Sequence, residues 1–294
     1  MARFSIRLLW FVLPLIVAVF FIPLVDFAVL KFNFKKSSSV LVMGDSHTET
    51  AIDDTIDRTF KNVSQSSETY LFTYHKLKRI LKVNKPETIV LGFSPHNVTF
   101  FHDEKNFAIN GNTRYLELYP RYFYTLDLPG ISYLQEYSSS GVINILPQIV
   151  KENIVSLLRF KNNYIGAFRN SEKSNLDSNL VNEKIKTHFY FDTERIHDIS
   201  SVQLEYLEKI IIVCQKEGIN VVLINLPVHN TYLTKIPDSI IKKYNELLAD
   251  FESRNVRVLD YSEFTFPDEY YGDGDHLNSL GAKEITGKLI SDLN

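Results

Sequence analysis

The sequence predicts an α/β protein built on a parallel sheet with helices on both faces, following an apolar amino-terminal segment. Three observations lead there. Short apolar-rich runs recur at Val40–Met43, Thr88–Leu91, Asn220–Leu226 and Val256–Leu259, as expected of strands buried on both faces. Amphipathic stretches with helical spacing lie among them, the alternation of a parallel sheet. Three of the runs are closed by Gly44, Gly92 and Pro227, residues that end regular structure. With 45% apolar residues in 294, the chain can bury a sizeable core.

In chain order, the first element is an apolar span. Leu8 to Val25 carries no charge, and extension to Leu30 adds only Asp26, for 23 residues in all. As a helix this is roughly 34 Å, enough to cross a bilayer with some tilt. Pro14 and Pro23 suggest kinks. The run is longer than a signal-peptide core, and bulky Phe32 and Phe34 follow it, so an uncleaved single-pass anchor is expected over a cleaved signal. Arg3 and Arg7 on one side nearly balance Lys31, Lys35 and Lys36 on the other, so charge gives little support for an orientation. The expectation is an anchor and tether over residues 1–36, with residues 37–294 as an extracytoplasmic domain. Lys35 to Ser39 reads as the polar tether.

Within the domain, Tyr70, Tyr74, Leu77 and Leu81 mark a helix over about 67–83. Ser200 and Gln203 have capping-box spacing, and Leu204, Leu207, Ile211 and Cys214 form a helical face that stops at Gly218. Further helices are expected over about 238–255 and 278–293. Residues of about 100–197 break this rhythm and read as an insertion. Its aromatic residues, dense around Tyr115–Tyr124, suit either extra packing or a groove for a sugar-containing substrate.

A formal net charge of -3 leaves no basic footprint for nucleic acid. The lone Cys214 excludes an intramolecular disulfide and thiolate-rich metal sites, and reads as a buried small hydrophobe. Neither a phosphate-binding glycine loop nor a metal-ligand spacing is present, so neither metal nor organic cofactor is expected.

Two motifs carry chemistry. Gly44-Asp45-Ser46-His47 follows the first strand directly, which places Ser46 at the carboxyl end of a parallel sheet, where ligands bind. A serine hydroxyl needs a base, and the base needs an orienting partner. Asp273-Gly274-Asp275-His276, just before the last helix, supplies both, because Asp273 and His276 are close enough in sequence to share a hydrogen bond.

These two blocks, in this order, resemble the SGNH/GDSL hydrolase superfamily over roughly residues 38–98 and 200–294. The resemblance implies a flavodoxin-like three-layer α/β/α sandwich. It also implies Ser46 as nucleophile, with His276 as base and Asp273 beside it. The family's second and third blocks are altered. Ser67 stands where a glycine amide helps form the oxyanion hole, and Gly92 to Asn97 replaces the usual Gly-x-Asn-Asp. The expected oxyanion donors are therefore Ser46, Ser67 and Asn97, and Asp45, His47, Ser94 and His229 are candidate substrate contacts. Gly-Asp-Ser-His is similar to the variant in SGNH domains that act on acyl groups of cell-envelope polysaccharide. The implied function is a serine esterase or O-acyltransferase for acylated carbohydrate, with a membrane-bound protein as a candidate acyl donor. A catalytically silent domain binding glycan or a partner protein, and a lipase or thioesterase, stand as alternatives.

Overall fold

The computed structural model describes residues 10, 12–13, 16, 20–36, 38–137, 139–171, 175–192 and 194–293. Of the predicted apolar span, residues 8, 9, 11, 14, 15 and 17–19 lie outside them. Among the described residues no helix is long and apolar enough to cross a membrane.

Five parallel strands form one sheet: β1 (Val40–Met43), β2 (Phe60–Asn62), β3 (Thr88–Gly92), β4 (Asn220–Asn225) and β5 (Arg257–Asp260). Their order is β2-β1-β3-β4-β5, the doubly wound order of flavodoxin-like sheets. Pairing is in register from Val40↔Thr88 to Met43↔Leu91, and from Thr88↔Asn220 to Gly92↔Ile224. Side chains alternate across the sheet. Leu41, Met43, Ile89, Leu91 and Leu223 join the larger core, whereas Val42, Val90, Val222 and Ile224 join the smaller one.

The helices follow as α1 (Ile22–Asn33), α2 (Ser46–Ala51), α3 (Tyr70–Ile80), α4 (Phe101–Phe107), α5 (Tyr115–Tyr122), α6 (Leu128–Tyr137), α7 (Ser139–Leu158), α8 (Ser178–Phe189), α9 (Ser201–Glu217), α10 (Asn230–Leu233), α11 (Asp238–Ser253) and α12 (Ser279–Leu293). Helices α3, α9 and α11 cover the larger core through Leu77, Ile210, Cys214 and Phe251. Helix α12 covers the other face through Ile285 and Leu289. The predicted start and stop of α9 hold: the Ser200 side chain accepts from Gln203 N, and Gly218 ends the helix at φ 71°. The three-residue edge strand β2 has no apolar alternation to announce it.

The insertion forms helices α4–α8. Tyr119, Tyr122 and Tyr164 are fully buried in the larger core, and Tyr122 stacks on Phe72 of α3 with ring centroids 4.8 Å apart. Most of its aromatic residues therefore pack the domain together, which favours the packing expectation over the groove.

Helix α1, the end of the predicted anchor, docks on the domain. Its Asp26 is buried and accepts from Asn162 Nδ2 (2.7 Å), Tyr164 OH (2.8 Å) and Arg79 Nη2 (3.3 Å). Ser38 is buried as well, and Ser39 O accepts from the backbone of Glu87 and Thr88. The expected tether thus ends sooner than its composition suggested, because Ser38 and Ser39 already belong to the sheet entry.

Candidate active site

Ser46 is the first residue of α2, at the carboxyl end of β1. Gly44 makes this turn feasible. Its φ is 147°, and a Cβ there would lie 2.6 Å from Thr48 Oγ1 and 3.3 Å from Gly92 N. Asp45 caps α2 by accepting from His47 N at 3.0 Å.

His276 lies in the loop before α12. Its Nδ1 is 2.9 Å from Asp273 Oδ1, which also accepts the His276 backbone N–H at 3.0 Å. Its Nε2 is buried and has no hydrogen-bond partner. Ser46 and His276 line one cleft of about 470 Å³, together with Ser67, Lys105, Arg114 and Lys184. The arrangement leaves an imidazole oriented by Asp273, with its second nitrogen unpartnered, in the lining that also holds Ser46.

Charges around the imidazole set its proton affinity. Burial alone would lower it, but the carboxylates of Asp275 and Asp273 outweigh burial and raise it. Lys184 of α8 sits between these carboxylates. Its ammonium is 2.7 Å from Asp273 Oδ2 and 3.2 Å from His276 Nδ1, and it also pairs with Asp275. Asp275 in turn lies 3.4 Å from His47 Nε2. Lys184 and Asp275 are site residues that sequence reasoning missed. Asp275 stands in the motif itself, while Lys184 has no signal beyond its place in the insertion.

A second network lies behind the serine. Asp45 Oδ2 meets His96 Nε2 at 2.7 Å and accepts from Asn97 Nδ2 at 2.8 Å. Burial would raise the Asp45 carboxyl, but the neighbouring His96 and His47 more than reverse this and hold it well below the usual value. Burial pushes His96 itself down to about 4, so near neutral pH it engages Asp45 as a neutral N–H donor.

The expected oxyanion donors separate here. Ser67 lines the cleft and adopts φ 65°, the left-handed conformation in which glycine was expected. Asn97 does not line it. Its side-chain amide is spent on Asp45, and its Oδ1 accepts from Ser94 N at 2.8 Å in a capping box. Asn97 thus supports Asp45 rather than facing substrate. Of the candidate substrate contacts, Asp45 and His47 line the cleft. Ser94 lines a neighbouring cavity of about 230 Å³ that shares His47 and His96 with it. His229 is placed at neither: it caps α10 by accepting from Thr231 N and pairs with Asp268 at 3.2 Å.

Among the described residues two groups have ligand atoms spaced for a metal ion, Asp45/His96/His102 and His47/Asp275/His276. In the first, both Asp45 oxygens already accept hydrogen bonds. In the second, the Lys184 ammonium already pairs with Asp275. Each carboxylate is thus satisfied by groups of this chain.

Sheet order and site together define a doubly wound parallel α/β protein with Ser46, His47, Asp275 and His276 in one cleft. Residues 191–293 match a protein-family model. No curated protein matches the chain in sequence. Among solved structures, it is similar to the "putative acylhydrolase" of Bacteroides fragilis, at 12% identity over 90% of this chain and 92% of that one (TM-score 0.41). A "putative platelet activating factor" of Streptococcus pneumonia shares 13% identity over 92% and 91% (TM-score 0.44). A GDSL-like lipase of Bacteroides thetaiotaomicron shares 10% identity over 86% of each chain (TM-score 0.40).

Proposed function

We propose that this chain is a membrane-anchored, extracytoplasmic serine esterase or O-acyltransferase that acts on acylated cell-envelope carbohydrate through an acyl-Ser46 intermediate. The observation that carries it is His276, with Nδ1 on Asp273 and an unpartnered Nε2, beside the cleft that Ser46 lines. In the first half-reaction Ser46 Oγ attacks the ester carbonyl and His276 Nε2 takes its proton. The backbone amides of Ser46 and Ser67 are the donors for the developing oxyanion. Collapse releases the alcohol, which takes the proton back from His276. Water or an acceptor hydroxyl then resolves the acyl-serine, giving hydrolysis or transfer. In the transferase branch a membrane-bound protein supplies the acyl group.

The polar lining of the cleft suits carbohydrate, while the neighbouring cavity, lined by Phe189, Leu226, Val228 and Ile236, suits an acyl group. Among the described residues Phe101 is the only apolar side chain at the cleft. The anchor is supported by the charge-free run Leu8–Val25 and by large apolar side chains exposed around the docked helix, Phe20, Leu24 and Phe32 among them.

Treatment of the full chain with a fluorophosphonate, read by intact mass with Ser46→Ala as control, tests the proposal. Stoichiometric labelling that vanishes in the variant is expected. Folded protein that stays unlabelled would overturn it and favour the silent binding domain, consistent with the loss of Asn97 as an oxyanion donor.

A further inference from the structure

The cleft contains one charge that catalysis does not use. Lys105 of α4 is only 5% exposed, yet it lines the same cleft as Ser46 and His276. Its Nζ lies 3.8 Å from the centroid of the Phe101 ring, a cation–π contact. Among the described residues no carboxylate pairs with it.

Every other charged side chain of the lining has a partner. Asp45 is bonded by His96, Asn97 and the His47 backbone. Asp275 pairs with Lys184. Arg114 reaches both Glu117 oxygens at 3.0 Å on the exposed rim. An ammonium withdrawn from water without a counter-charge is costly, and an aromatic face offsets only part of that cost. Burial pushes the Lys105 ammonium down to about 7, against the more distant pull of the Asp45 and Asp275 carboxylates. A charge-assisted hydrogen bond from an anion bound in the cleft would supply the missing counter-charge.

We infer that the substrate carries an oxyanion group, a carboxylate or a phosphate, which Lys105 binds within the Ser46 cleft with Arg114 at its rim. This deepens the esterase or acyltransferase assignment and rests on it for the identity of the cleft. The acylated polymer is then acidic: a uronate-bearing or a phosphodiester-linked glycan.

Binding is measured by calorimetry on the full chain carrying Ser46→Ala, so that turnover plays no part. The probes are trigalacturonate, a trimer of glycerol phosphate, and maltotriose as the neutral comparison. At least one anionic probe should bind about tenfold or more tightly than maltotriose, the effect of one charge-assisted contact. Which of the two does so tells carboxylate from phosphate. Adding Lys105→Met should bring the anion to the maltotriose level, while Lys105→Arg keeps most of the preference. Equal affinity for maltotriose, no binding of either anion, or an anion preference that survives Lys105→Met would each overturn the inference. If Lys105→Met does not fold, the comparison of anionic and neutral probes still decides. Failure of fluorophosphonate labelling would count against the serine chemistry alone, because this assay needs no nucleophile.

Discussion

The turn that carries Ser67 rests on a buried ion pair between Glu68 and Lys76. Glu68 and Lys76 are both fully buried, with Lys76 Nζ 2.5 Å from Glu68 Oε2 and 2.7 Å from Val63 O. Glu68 also accepts from Thr73 Oγ1 and Tyr122 OH, each at 2.8 Å. Lys76→Met leaves a buried carboxylate without its cation, which costs ~3–5 kcal/mol. Thr73 and Tyr122 still donate, which places the loss at the lower end, and the Val63 carbonyl keeps its bond from Gly166 N at 3.3 Å. The expected total is about 3 kcal/mol at pH 7, read as the free energy of urea unfolding.

The pH dependence has a definite sign. Burial raises the Glu68 carboxyl even with Lys76 in place, and without Lys76 it rises further. Above the unfolded carboxylate value of about 4.3, the unfolded chain has lost its proton while the folded variant keeps it, so stability falls as pH rises. The deficit of Lys76→Met should therefore be smaller near pH 5 than near pH 8. Replacing both residues, as Lys76→Met with Glu68→Leu, should recover most of the loss, because no charge is left stranded. A single-variant cost below about 1 kcal/mol, or one that does not change with pH, would refute the reasoning.

Three further expectations follow from the site. The acid limb of Ser46 labelling reports His276, whose proton affinity is raised by Asp275 and Asp273 against burial and lowered by Lys184. Asp273→Asn should move that limb to lower pH and slow labelling at the plateau, whereas Lys184→Met should move it to higher pH. Shifts in the same direction would contradict this arrangement. Ser67 holds φ 65°, so Ser67→Gly should leave stability equal or slightly higher, while Ser67→Val should cost about 1–3 kcal/mol in thermal or urea unfolding. Asp26→Ala removes the acceptor for Asn162, Tyr164 and Arg79 and should release α1 at a cost of about 3 kcal/mol, seen as faster proteolysis near residues 35–39.

Elements whose local chemistry agrees with their tertiary role were legible from the chain. Strands β1, β3 and β4 are continuous apolar runs because both faces are buried, and α9 is bounded by a serine cap and a left-handed glycine. The blocks around Ser46 and His276 were legible because each is contiguous: the Gly44 turn and the Asp273–His276 hydrogen bond are made within a few residues. The edge strand β2, by contrast, is three residues long and owes its pairing to β1 rather than to a pattern of its own.

What tertiary structure alone decided are the contacts made across long stretches of chain. Lys184 reaches Asp275 across 91 positions, and Asn97 reaches Asp45 across 52. Composition cannot announce such pairs, because a lysine in an insertion and an asparagine after a strand are ordinary until folding places a carboxylate beside them. The same holds for Asp26, which reads as a tolerated charge at the end of an apolar span yet is the acceptor that clamps α1 to the domain. Local sequence thus determined strands β1, β3 and β4, the caps of α9 and the two short blocks around Ser46 and His276. The fold decided which charges meet, and so which carboxylates are neutralised and which cation, Lys105, rests on an aromatic ring instead of a carboxylate. The physical reason is that backbone conformation responds to neighbours in sequence, whereas charge and burial respond to neighbours in space.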